Sequence, residues 1–176
     1  MPLSRWSSGS LYLFFTVIFL LFFDIFEIVN QESKIIFWTH ATFHKVIGRA
    51  EEIYSHINYN NGLISGYVKV LSKSLRTDNN VRDASIYKTI NANKYQFIEF
   101  IPDSIINSVI FGKFKLSGYE KYISVPISIT FNQTNAYVSG SFFILLSEFR
   151  LKTPSYGLLK VSDTIYIEFN LVYEKK

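Results

Sequence analysis

The residues best suited to chemistry are His40, His44 and His56, a scatter of serines, and the adjacent pair Glu51-Glu52. His40 and His44 are four apart, which on a helix would set two metal ligands on one face. Their flanks, Ile35-Ile36-Phe37-Trp38 and Val46-Ile47-Gly48, are strand-like instead. With no cysteine in the chain and no glutamate beside either histidine, the ligand set stays incomplete. No metal is expected. No Gly-x-Ser-x-Gly turn occurs, and no Ser-His-Asp grouping stands out by spacing. Glu51 and Glu52, as neighbours on a strand, would point to opposite faces and make a poor acid–base pair. There is no glycine-rich phosphate loop either. The residues therefore read as a protein that is not an enzyme and carries no cofactor.

One polar stretch stands apart: Ser74-Leu75-Arg76-Thr77-Asp78-Asn79-Asn80-Val81-Arg82-Asp83. Arg82 and Asp83 are expected to brace a loop there by hydrogen bonds. Asp83 also suits the cap of a short helix near 83–90, in which Ile86 and Ile90 form an i, i+4 apolar pair.

The elements that must position these groups are strands. Of 176 residues, 48% are hydrophobic and 18% charged, which excludes a disordered chain. Phenylalanine (17) and tyrosine (12) abound while strong helix formers are scarce, so a helical bundle is excluded too. The absence of cysteine excludes disulfides, thiolate sites and a cysteine nucleophile. A net charge of +4 raises the question of an anionic partner. Lys and Arg are nevertheless scattered singly, with no basic run beyond the terminal Lys175-Lys176, and no nucleic acid is expected.

Arg5 precedes an uncharged apolar run, Leu11 to Phe23, thirteen residues long. That is short of the roughly 20 residues of a membrane helix and matches the apolar core of a secretory signal. No Ala-x-Ala site follows, and extension through Asp24 and Glu27 to Val29 would make residues 11–29 an anchor with its N-terminus cytoplasmic. Residues 1–31 thus read as an apolar helix serving as signal peptide or membrane anchor, and 32–176 as an exported domain, periplasmic or extracellular.

Within that domain the period is two. Val125, Ile127, Ile129 and Phe131 alternate with polar neighbours, as do Ile165, Ile167, Phe169 and Leu171. Pro126 inside such a run predicts an edge, a bulge or a kink. Asn61-Gly62 is a strong hairpin turn, and Asn132-Gln133-Thr134-Asn135 is a polar connection that also matches a glycosylation sequon. About eight antiparallel strands follow, and these most readily close into a single all-β barrel with one short helix.

Several segments resemble the YceI-like family of secreted, lipocalin-like barrels associated with polyisoprenoid lipids. Ile36-Phe37-Trp38-Thr39-His40 with Gly48 resembles its first strand, and Ile64-Ser65-Gly66-Tyr67-Val68 its second hairpin arm. Thr77 with Arg82-Asp83 is similar to its Thr and Arg-Asp loop. Leu116-Ser117-Gly118 and Val125-Pro126-Ile127 resemble its central hairpin, and Val161 to Ile167 its closing strand. Three positions depart from the pattern: Ser85 replaces a histidine, Gln96 a proline, and Arg150 a glycine in Glu148-Phe149-Arg150. The resemblance implies a noncatalytic carrier that shields a polyisoprenoid or similar long apolar lipid inside an eight-stranded lipocalin-like barrel. His40, Thr77, Arg82 and Asp83 would then be structural loop residues.

The expected barrel lining is the set of large alternating residues. Phe37, Val68, Val70, Phe100, Phe114 and Leu116 come from the first half of the domain. Ile127, Ile129, Phe142, Ile144, Ile165, Ile167 and Phe169 come from the second. The alternative is a membrane-anchored structural or interaction protein in which the same residues fill the barrel solidly.

Overall fold

The computed structural model describes residues 24–156 and 159–176. Of the expected N-terminal helix, residues 1–23 lie outside the described residues, and Asp24–Ile28 at its end form a strand instead, because they pair with two other strands of the sheet. The strands are β1 (Asp24–Ile28), β2 (Lys34–Ala41), β3 (His44–Ala50), β4 (Ile53–Asn60), β5 (Leu63–Leu71), β6 (Leu75–Arg76), β7 (Phe97–Ile106), β8 (Val109–Leu116), β9 (Tyr119–Phe131), β10 (Asn135–Leu145), β11 (Ser155–Tyr156), β12 (Leu159–Lys160) and β13 (Thr164–Lys175). One helix, α1 (Asn80–Thr89), lies between β6 and β7.

All but β11 and β12 belong to one antiparallel sheet that closes on itself. Strand β13 pairs with β10 along one edge, and with β2 and then β1 along the other. β1 and β2 together act as the first staggered strand, and β3 and β4 as the second, because β2 pairs with β3 and β1 with β4. The result is an eight-stranded barrel whose neighbours follow chain order, with no unpaired edge along most of its wall. β1 brings residues 24–28 into the wall. The barrel thus begins inside the segment that composition assigns to the leader, since Phe26 points inward and is buried.

Turn chemistry sets the register. Asn61 and Gly62 have φ of 46° and 89°, as a two-residue hairpin with positive φ at both positions requires. Asn107-Ser108 and Ser117-Gly118 make the same kind of turn. In the β9–β10 connection, the Asn132 side chain accepts from the backbone of Thr134 (3.0 Å) and Asn135 (2.7 Å), so the sequon asparagine is committed to its own turn. Pro126 lies where β9 leaves one neighbour for the next: it is paired with Val109 of β8, and pairing with β10 starts at Ile127. A residue without an N–H fits this switch.

Two inner-face glycines admit aromatic rings. A Cβ on Gly48 would lie 2.2 Å from the Phe37 ring, and one on Gly140 would lie 2.7 Å from the Phe169 ring and 2.6 Å from the Pro126 carbonyl. The rings lie flat across the neighbouring strand only because these positions lack side chains.

The helix is capped by Asn79, whose carboxamide oxygen accepts from Val81 and Arg82 at 2.9 and 3.0 Å. This corrects the cap expected at Asp83. The helix starts at Asn80, and Asp83 sits inside its first turn, where the helix dipole favours an acid. Its buried carboxylate accepts from the Thr77 amide at 2.8 Å and the Thr77 hydroxyl at 2.7 Å, tying the loop before the helix to the helix itself. Arg82 pairs with Asp78 instead. Asp83→Ala is expected to cost about 1.5–3 kcal/mol, the range for hydrogen bonds to a charged group. The urea midpoint should fall with an unchanged slope.

Candidate functional site

Period two assigns one face of every strand to the interior. Depth along the barrel axis divides those residues into two groups. At one end the residues are close-packed: Ile53, Val70, Leu75, Phe114, Leu116, Ile144 and Phe149 are all buried in one cluster with Ile90 and Ala92. Phe149 is only 1% exposed, and the Phe114 ring meets Phe142 and Phe149 edge-on at 5.7 and 5.8 Å. The connection at residues 72–96 folds across this end. Ser72 donates to the Tyr95 carbonyl at 2.8 Å, and the Ser117 hydroxyl bonds the Ile90 carbonyl. The turn at 146–149 is tied down by Asp163, which accepts from the Ser147 amide (2.8 Å) and hydroxyl (2.5 Å).

The other half of the barrel is less completely filled. A cavity of about 190 Å³ lies there, with walls of aliphatic and aromatic side chains. β1, β4 and β5 contribute Phe26, Ile57, Tyr59, Ile64 and Val68. β7 and β8 add Phe100, Pro102, Ile105 and Ile110, and β9 adds Val125, Ile127, Ile129 and Phe131. β10 and β13 complete it with Ala136, Val138, Phe142, Phe169, Leu171 and Tyr173. A second hollow shares Phe26, Tyr59 and Phe131 and runs out between the 132–134 turn, Asp24 and Lys175. The mouth therefore lies among the β4–β5, β7–β8 and β9–β10 turns, with Phe131 beside it and 6.5 Å from Phe26 across the opening.

Of the thirteen residues expected to line the barrel, Val68, Phe100, Ile127, Ile129, Phe142 and Phe169 border the cavity. The other seven do not reach it. Val70, Phe114, Leu116 and Ile144 are buried in the packed end, and Phe37, Ile165 and Ile167 lie against it. They share the correct face but sit too close to the closed end. Val125, Phe131 and Leu171 continue alternations already plain in the sequence, so the same signal reaches them. Ile105 escapes that signal, because a register shift between Pro102 and Ser104 reverses the parity of β7. Phe26 is hidden by its place in the apparent leader.

One hydrogen-bonded polar pair is buried beside the cavity. Ser55 donates to the Tyr67 carbonyl at 2.8 Å and accepts from the Tyr173 phenol at 2.9 Å. Burial pushes the Tyr173 phenol up to about 12, so it stays protonated and serves as a hydrogen-bond donor rather than a base. Between the ordinary value of 10.0 and about 12, the folded chain keeps a proton that the unfolded chain has lost. Stability is therefore full below pH 10 and declines as pH rises towards 12. Tyr173→Phe should flatten that alkaline decline in thermal melts, at a cost near neutrality of about 1 kcal/mol for the lost hydrogen bond.

The histidines contribute nothing to the cavity. His40 lies edge-on to Trp38 on the outer face, and the described residues gather no three His, Cys, Asp or Glu side chains at metal-binding distances. The double-sided apolar run of β10 has its own explanation: Phe142 and Ile144 point in, while Phe143 points out. There it heads an in-register outer row, Phe143, Tyr166, Trp38 and Ile47, across β10, β13, β2 and β3. Trp38 and Tyr166 stack at 3.9 Å and Lys45 lies 3.6 Å over the Trp38 ring.

The family model for the YceI-like domain matches residues 26–173, nearly the whole barrel. The chain belongs to the YceI-like family. Solved structures agree on the fold. BcnA of Burkholderia cenocepacia superposes with a TM-score of 0.73 at 16% identity, over 82% of this chain and 98% of that one. A polyisoprenoid binding domain from Saccharophagus degradans gives 0.68 at 12% identity, over 86% and 98%. The Campylobacter jejuni YCEI protein gives 0.60 at 20% identity, over 73% and 84%. No match is found among curated proteins. The family pattern also explains one departure. Arg150 replaces a glycine in Glu148-Phe149-Arg150, and its backbone is left-handed at φ 55°, the conformation in which glycine is unstrained. This chain therefore places a left-handed residue directly after the buried Phe149.

Proposed function

We propose that this YceI-like barrel holds one end of a long apolar lipid, a polyisoprenoid or similar amphiphile, in its interior cavity, without catalysis and outside the cytoplasm. The observation that carries the reading is the apolar cavity of about 190 Å³ open at one end. An apolar cavity of about 150 Å³ stays dry and accepts benzene. This one is somewhat larger, so it takes one or two five-carbon units. Burying one such unit contributes up to about 4 kcal/mol at roughly 0.8 per methylene, offset in part by ordering the chain. The closed end makes the site a socket for a chain terminus rather than a tunnel. Among the described residues at the cavity wall the titratable groups are two tyrosines, which supports binding over chemistry. Support for export comes from the apolar run Leu11–Phe23, upstream of the barrel.

Organic extraction of natively purified protein, followed by mass spectrometry, tests the reading. A stoichiometric prenyl or other long-chain lipid is the expected result. An extract without lipid would overturn it in favour of an anchored interaction protein, for which the outer aromatic row is the natural contact surface.

A further inference from the structure

We infer that the open rim of the barrel docks on a phospholipid bilayer, mouth towards the lipid. This rests on the lipid-holding reading and supplies what that reading lacks, a shelter for the rest of the chain. Three apolar side chains stand out from the rim next to its turns: Leu63 at 58% exposure, Ile106 at 57% and Phe131 at 62%. Phe131 also lines the cavity, so the apolar surface runs without a break from the interior to the rim.

Two further observations select a bilayer as the occupant. Asp24, the first described residue, lies on this rim, bonded to Lys175 at 2.8 Å. The residue joined to it is Phe23, the last of the apolar run from Leu11. The apolar run therefore joins the barrel at the mouth and not at the closed end. The charges nearest the mouth leave it slightly acidic, since two lysines, Lys175 and Lys176, face Asp24, Glu27, Glu174 and Asp103. Besides Asp24–Lys175, Lys176 pairs with Glu174 at 2.8 Å and Glu27 at 3.8 Å, and Asp103 accepts from Tyr122 at 2.7 Å. A rim with no excess of cations has nothing to draw it to anionic headgroups, so docking would proceed by apolar burial on uncharged lipid and would persist in high salt. The small cavity gives the same direction: a long chain with only its terminus in the socket keeps its remaining length out of water if the mouth sits on hydrocarbon.

The chain has no cysteine, so a single introduced one can be labelled uniquely. Full-length Leu63→Cys, Ile106→Cys and, at the closed end, Val81→Cys would each carry an environment-sensitive fluorophore. Each would be mixed with phosphatidylcholine vesicles containing a spin-labelled lipid quencher. All three sites are exposed, so folding is spared. Several-fold stronger quenching at positions 63 and 106 than at 81, persisting in high salt, is expected. Equal quenching at all three, or stronger quenching at 81, overturns the inference, since it describes a barrel hanging free on its N-terminal segment. Organic extraction of the same preparations separates the two ideas. Lipid present without rim quenching removes the docking alone. Rim quenching in a lipid-free preparation keeps the docking and removes the carriage.

Discussion

Ala136→Phe is expected to strip the protein of extractable lipid while leaving it folded. Ala136 lies on β10 between Phe131 of β9 and Tyr173 of β13, and its methyl group faces the cavity near the mouth. A phenyl ring there takes the space that one five-carbon unit would occupy. Overpacking a filled core costs about 1–3 kcal/mol, but a ring entering a void displaces nothing. Loss of even about 1.4 kcal/mol of binding is tenfold, so lipid per protein in the extract should fall about tenfold or more. The melting temperature should stay within about 4 °C of the parent, the shift that roughly 1 kcal/mol produces in a domain of this size. A collapse of the melting temperature would mean that the upper barrel is already full, and would sink the carrier reading together with the cavity.

Phe149→Ala should do the opposite, damaging stability more than any surface change. Phe149 is almost wholly buried, packs edge-on against Phe114 and stoppers the closed end. Truncating such a ring costs about 3–5 kcal/mol, the lost transfer energy plus the cavity left behind. Against a total stability of about 5–15 kcal/mol this is a large share. A fall in melting temperature of about 10–15 °C is expected, with a matching drop in the urea midpoint. A change below about 1 kcal/mol would show that the stopper is dispensable, because surface substitutions alone stay in that range.

Much of the fold was legible because its information is local. Alternation in β9 and β13, the Asn61-Gly62 turn and the polar Ser74–Asp83 loop each depend on residues a few positions apart. The errors occur where a local rule is overridden by a partner distant in sequence. The first strand, Asp24–Ile28, reads as the end of a leader until β4 and β13 pair with it on either side. The β7 bulge moves Ile105 inward against the count of two. Asn79 outcompetes Asp83 for the cap, because Thr77 engages the aspartate.

The amino-acid sequence alone determined which side of each strand is greasy, since a pleated strand turns successive side chains to opposite faces and needs no neighbour to do so. Only the tertiary structure decided how deep along the axis each inward residue falls. Two segments, 72–96 and 146–149, pack against one end and leave the other open, so Phe114 becomes a stopper and Ile129 a wall. Vacant space belongs to no residue. It is the volume left when strands far apart in the chain have closed, and periodicity carries no measure of it.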